Sequence, residues 1–81
     1  MNCREFVDFL MDYLEGELPK GQRETFDSHM EACPSCVLYL DTYQKTIRLG
    51  RSLCDDPDGP PPPDAPERLV AAILAARARS D

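Results

Sequence analysis

Five of the chain's eight prolines fall in one stretch, CDDPDGPPPPDA, from Cys54 to Ala65. Proline lacks a backbone N–H and pushes the residue before it out of the helical region, so no helix passes through this stretch. The run Pro60 to Pro63 reads as an extended polyproline II spacer, at about 3.1 Å per residue. The chain is thereby divided into residues 1–53, a Pro-rich linker at 54–63, and a segment at 64–81. Of 81 residues, only about the first 50 are left to build a core, with aromatics at 7% and no Trp. A unit that small is marginal on apolar burial alone and calls for a staple. The four cysteines are the obvious source.

No stretch shows the period-2 alternation of a half-buried strand, so the expected class is all-α. Helix 1 is expected from Cys3 to Glu15, with Phe6, Phe9, Leu10, Tyr13 and Leu14 in one apolar stripe. Gly16 ends it. Helix 2 is expected from near Pro19 to about Ala32, with Phe26 and Met30 as its apolar content. Helix 3 starts at Pro34, with Val37, Leu40, Tyr43 and Ile47 as the buried stripe and a possible continuation to Leu53. Helix 4 follows a capping-box signal at Asp64 and Glu67. It carries Leu69, Val70, Ile73 and Leu74 as an apolar face. The architecture expected is a three-helix bundle, the linker, and a fourth amphipathic helix.

Nine Lys and Arg stand against fifteen Asp and Glu, a net charge of −6. A nucleic-acid binder needs a basic face to meet phosphates, and this balance argues against one. No apolar run approaches the ~20 residues of a spanning helix. Asp8, Asp12 and Glu15 interrupt the N-terminal apolar residues, which excludes a signal-peptide pattern. A reducing, cytoplasmic location is therefore expected, where cysteines more often hold metal or do redox chemistry than form permanent disulfides. No Ser/His/Asp set or Gly-rich phosphate loop is visible, so an enzyme is not expected.

The most specific motif is His29-Met30-Glu31-Ala32-Cys33-Pro34-Ser35-Cys36, an H-x3-C-x2-C pattern. Imidazole and thiolate are preferred zinc ligands, and a structural site takes four. His29 and Cys33 are one helical turn apart. The fourth ligand is Cys3 or Cys54. In an antiparallel hairpin of helices 1 and 2, Gly16 lies midway between Cys3 and His29, which returns Cys3 to the level of His29. Were helix 3 continuous, Cys54 would lie about 27 Å beyond Cys36. It could reach the ion only if helix 3 broke and doubled back. Cys3, His29, Cys33 and Cys36 are thus the expected closed Zn2+ site, with Cys54 left over. Two disulfides are the competing use of four cysteines.

Cys3, His29-x3-Cys33-x2-Cys36 and the DYLEGELP turn together resemble the zinc-binding anti-sigma factor domain of bacteria. The resemblance covers about residues 1–50 and implies a regulatory protein without catalysis. In that family a zinc-bound helical bundle and a following helix clamp an extracytoplasmic-function sigma factor, which is kept from core RNA polymerase. Helix 4, tethered by the linker, stands where the clamp helix stands, so Leu69, Val70, Ile73 and Leu74 become partner-binding candidates in a heterodimer. The resemblance is to the soluble, cytosolic branch. Some soluble members are redox switches, in which a disulfide among the ligands expels zinc and releases the sigma factor. By that resemblance, Cys3 pairing with Cys33 or Cys36 is the trigger. Other members hold zinc only structurally, and the ligand set does not separate the two. A zinc-stabilised adaptor, or a domain that homodimerises through helix 4, is the alternative function.

Overall fold

The first helix, α1 (Cys3–Glu15), starts at a reciprocal cap. The Glu5 N–H donates to Asn2 Oδ1 at 2.9 Å, and the Asn2 N–H donates back to Glu5 Oε1 at 3.1 Å. The computed structural model describes residues 1–50 and 54–79. Three further helices follow: α2 (Lys20–Glu31), α3 (Pro34–Arg48) and α4 (Glu67–Arg77). No strand occurs among the described residues. The all-α class, the bounds of α1 and the left-handed Gly16 (φ 73°) that closes it are as expected.

The core gathers around α1 and α2. Phe6, Phe9 and Leu10 of α1 meet Phe26 and Met30 of α2, all buried. Phe26 sits edge-to-face against Phe9 (5.1 Å between centroids) and Tyr13 (4.6 Å), geometry that aromatic quadrupoles favour. The Tyr13 hydroxyl donates to Asp27 at 2.5 Å and ties the two helices at their rim. This hydrogen bond and burial push the Tyr13 phenol up to about 12, burial contributing more.

Helix α3 presents a different face from the one expected. Cys36, Leu40 and Tyr43 are buried, at i, i+4 and i+7. Val37 is 53% exposed and Ile47 38% exposed. Phe6 lies against Tyr39 at 6.3 Å, and the Tyr43 hydroxyl donates to the Val7 carbonyl at 3.4 Å. Helix α3 stops at Arg48, and Gly50 (φ 75°) takes the left-handed position beyond it. The continuation to Leu53 lies outside the described residues.

The Pro-rich segment is not a free spacer. It folds back over the start of α1, where the Cys3 N–H donates to the Gly59 carbonyl (2.8 Å) and the Arg4 N–H to the Pro57 carbonyl (3.0 Å). The first-turn N–H groups of a helix have no partner within the helix. Here the strap's carbonyls and Asn2 supply them. The radius of gyration is 11.9 Å. A globular chain of this length should measure about 12 Å, so no element among the described residues reaches out on a tether.

Helix α4 docks on α2. Leu69, Ala72, Ile73 and Ala76 are buried, at i, i+3, i+4 and i+7. Of the four apolar residues expected on this helix, Leu69 and Ile73 are in the core, Val70 is half-buried, and Leu74 is 48% exposed. The helix begins at Glu67 after Pro66, with no side-chain cap. The expected Asp64–Glu67 box is absent because Pro66, not Asp64, occupies the cap position.

Arg77, at the end of α4, pairs with Glu5 at 2.7 Å. The Asn2 N–H and then Arg77 hold the Glu5 carboxyl below its ordinary 4.5. A depressed carboxyl stabilises the fold above its unfolded value and loses that contribution as pH falls through its folded value. Thermal melts of the wild type should therefore decline as pH drops below about 4.5, and Glu5→Gln, which keeps the cap's acceptor, should flatten that decline. An unchanged pH profile in Glu5→Gln would refute the assignment.

Candidate metal centre

Cys33 is the N-cap residue of α3 and Pro34 its first helical residue. Pro34 suits that place because its missing N–H has no helical partner to lose. The junction is tight. The Cys33 N–H donates to Met30 at the end of α2, and the Cys36 N–H donates to the Cys33 carbonyl, both at 3.1 Å. This turn brings the two thiols together in a buried position, at 5% and 1% exposure. The Cys36 thiol donates to the Cys33 sulfur and lowers the Cys33 thiol, with backbone amides and Arg68 adding to the effect. Burial, and then the neighbouring sulfur, push the Cys36 thiol up. Two buried sulfurs brought together by one turn are a ready divalent-metal anchor, since zinc takes sulfur ligands as thiolates.

His29 is exposed. It borders a hollow of about 250 Å³ with Ala32, Cys33, Arg68 and Ala71. The imidazole and the Cys33 thiol thus share one opening at the α2–α3 junction. Arg68 of α4 closes its other side, and its role is invisible in the sequence because α4 comes from beyond the linker.

Cys3 is elsewhere engaged. It forms a disulfide with Cys54, with Cα atoms 6.1 Å apart. The expectation that Cys54 is left over is corrected: α3 ends at Arg48, and the strap lays Cys54 against Cys3 at the start of α1. Among the described residues, the only His, Cys, Asp or Glu trio with converging ligand atoms is Asp12, Glu15 and Glu17, all exposed at the end of α1. Of the four expected zinc ligands, the structure brings Cys33 and Cys36 together, places His29 at their opening, and binds Cys3 to Cys54. The donor types fit zinc, and the local turn fits two of the four. The complete set requires Cys3 to be released.

Residues 3–36 match the family described as "Putative zinc-finger". The matched segment opens at Cys3 and closes at Cys36. The chain is 29% identical over 73 residues to the anti-sigma-W factor RsiW of Shouchella clausii, covering 90% of this chain and 30% of that protein. It is 29% identical over 59 residues to the anti-sigma factor RsrA of Streptomyces coelicolor, covering 73% of this chain and 56% of that protein. The chain thus spans about a third of one curated relative and about half of the other. No solved structure matches. Among the described residues, no helix is long and apolar enough to cross a membrane. Residues 3–36 thus resemble the zinc-finger family whose pattern they match, and both relatives named here are anti-sigma factors.

Proposed function

We propose that the chain is a zinc-binding anti-sigma factor that acts in the cytoplasm. Cys3, His29, Cys33 and Cys36 would hold Zn2+, and the helices would occlude an extracytoplasmic-function sigma factor in a one-to-one complex. The observation that carries this reading is the segment from Cys3 to Cys36. Its buried paired thiols lie inside the zinc-finger match, and both relatives named above are anti-sigma factors. Bound zinc would supply a cross-link between the start of α1 and the α2–α3 junction. The chain's own contribution is the docking surface and its charge.

The charge supports a basic partner. Asp12, Glu15 and Glu17 crowd the C-terminal end of α1, where the helix dipole disfavours acids, and no base lies in its last turn. An acid-rich end that costs stability is explained by a cationic surface it meets, and such a surface would also speed association.

Of the four α4 candidates for partner contact, Leu74 is open in this docked state and Val70 half-open. Leu69 and Ile73 would be offered only if α4 leaves α2. The test is size-exclusion chromatography of the reduced, zinc-loaded chain with a small sigma factor encoded beside it. A one-to-one complex is the expected result. Separate elution at micromolar concentrations of both proteins would overturn the reading. The alternative, a homodimerising adaptor, draws on Val37 and Leu38, both exposed on α3 (53% and 68%). A dimer mass for the isolated chain, with no sigma-factor complex, would select it.

A further inference from the structure

The four sulfurs of this protein divide into two pairs. Cys33 and Cys36 face each other at the start of α3. Cys3 is joined to Cys54, 51 residues further along the chain and outside the zinc-finger match. One sulfur is therefore claimed twice, by the zinc set and by the strap. We infer that Cys54 is a resolving thiol that takes Cys3 away from the metal site on oxidation, so that zinc binding and the Cys3–Cys54 disulfide exclude each other. This inference rests on the ligand set proposed above.

The geometry favours Cys54 over the ligand thiols as the partner of Cys3. Two backbone hydrogen bonds, from Cys3 to Gly59 and from Arg4 to Pro57, hold the strap against the first turn of α1. These bonds do not involve sulfur, so they keep Cys54 close to Cys3 whether or not the disulfide exists. A thiol kept that close acts at a high effective concentration. Cys54 is also half-buried rather than sealed. It borders a hollow of about 190 Å³ with Cys3, Asp56, Gly59 and Pro62, large enough to admit a small oxidant. Cys33 and Cys36, by contrast, are buried and engaged with each other.

The oxidant class is a hydroperoxide. One of the two thiols, as its thiolate, attacks the peroxide oxygen. The O–O bond breaks, an alcohol (or water) leaves, and a sulfenic acid forms. The other thiolate attacks that sulfur, the S–S bond forms, and hydroxide leaves as water. The two sulfurs together give up two electrons and two protons, and the hydroperoxide takes up both.

The same bond locks the strap across the start of α1. The strap leads directly into α4, whose Leu69 and Ile73 lie in the core and whose Arg77 pairs with Glu5 of α1. The oxidised chain is thus tied shut at both ends of α4, with the apolar face of that helix turned inward.

The test uses the full chain, reduced and zinc-loaded, treated with one equivalent of hydrogen peroxide. A chromogenic chelator follows zinc release, and mass spectrometry of unreduced peptides maps the disulfide. The expected result is a Cys3–Cys54 linkage in the wild type, with zinc release slowed at least about tenfold in Cys54→Ser. Reduced Cys54→Ser should bind one zinc as tightly as the wild type, whereas reduced Cys3→Ser should bind it at least tenfold more weakly. A Cys3 linkage to Cys33 or Cys36, or zinc release from Cys54→Ser at the wild-type rate, would overturn the proposal. Undiminished zinc affinity in Cys3→Ser would overturn it together with the ligand set. None of these readouts uses a sigma factor, so failure of the anti-sigma reading is distinguishable from failure of the latch.

Discussion

The zinc-free, oxidised chain is expected to lose most of its stability when Cys54 is replaced by serine. The Cys3–Cys54 bond spans 51 residues. In the chain-entropy account, closing a loop of that length removes about 4 kcal/mol of freedom from the unfolded state. A small domain holds only about 0.05–0.15 kcal/mol per residue in total, so this one bond is comparable to the entire margin. The melting temperature of zinc-free Cys54→Ser should fall by at least about 15 °C relative to the oxidised wild type. Helical circular dichroism during heating reads this directly. Melting points within about 2 °C of each other would count against the bond as a staple. Zinc should reverse the order of importance. With metal bound and thiols reduced, Cys54→Ser should melt with the wild type, and Cys3→Ser should be the weak variant.

The second large effect is expected on α4. Leu69 and Ile73 are fully buried, while Leu74 on the same helix is half-exposed. Truncating a buried leucine or isoleucine to alanine removes its transfer free energy and leaves a cavity, at a cost of about 2–5 kcal/mol. Ile73→Ala should show that loss in urea denaturation, whereas Leu74→Ala should change stability by less than about 1 kcal/mol. Hydrogen exchange should show amide protection in Ile73→Ala falling first along α4 and α2, because α4 packs mainly on α2. Equal costs for the two substitutions would mean that α4 does not rest on α2 through the face described.

The helices themselves were legible in the sequence. The i, i+3, i+4 stripe of α1, Gly16, and the proline starts of α2 and α3 all carry local signals. The phase of α3 was not legible. Its sequence offers two apolar tracks that share Leu40 and Tyr43. Burial of small Cys36 beside Cys33 chose one and left Val37 and Ile47 outside. On α4, side-chain size misled. Leu74 carries more apolar area than Ala72 or Ala76, yet the alanines are the buried pair. Asn2 and Glu5 carry the same capping spacing as Asp64 and Glu67, and only the first pair forms the cap.

The geometry of the candidate metal site was half legible. The C-x2-C turn is local, and the structure brings Cys33 and Cys36 together as the spacing demands. The fate of Cys3 depends on a contact across 51 residues. That contact turns on where α3 ends and where the strap returns. The proline-rich segment advertises in its sequence only what proline lacks, a backbone N–H. Its remaining group, the carbonyl, decided the outcome, because the first turn of α1 needs acceptors.

That strap divides the proline-rich segment into two halves with different tolerance for change in length. From Cys54 to Gly59 the backbone is keyed: Pro57 and Gly59 must meet Arg4 and Cys3, and one inserted residue would move Cys54 out of register with its partner. From Pro60 to Ala65 no carbonyl is matched to α1, and the run only sets the reach to α4. Homologous chains should therefore vary in length after the glycine and hold constant before it, so that what looks like one linker drifts only in its second half.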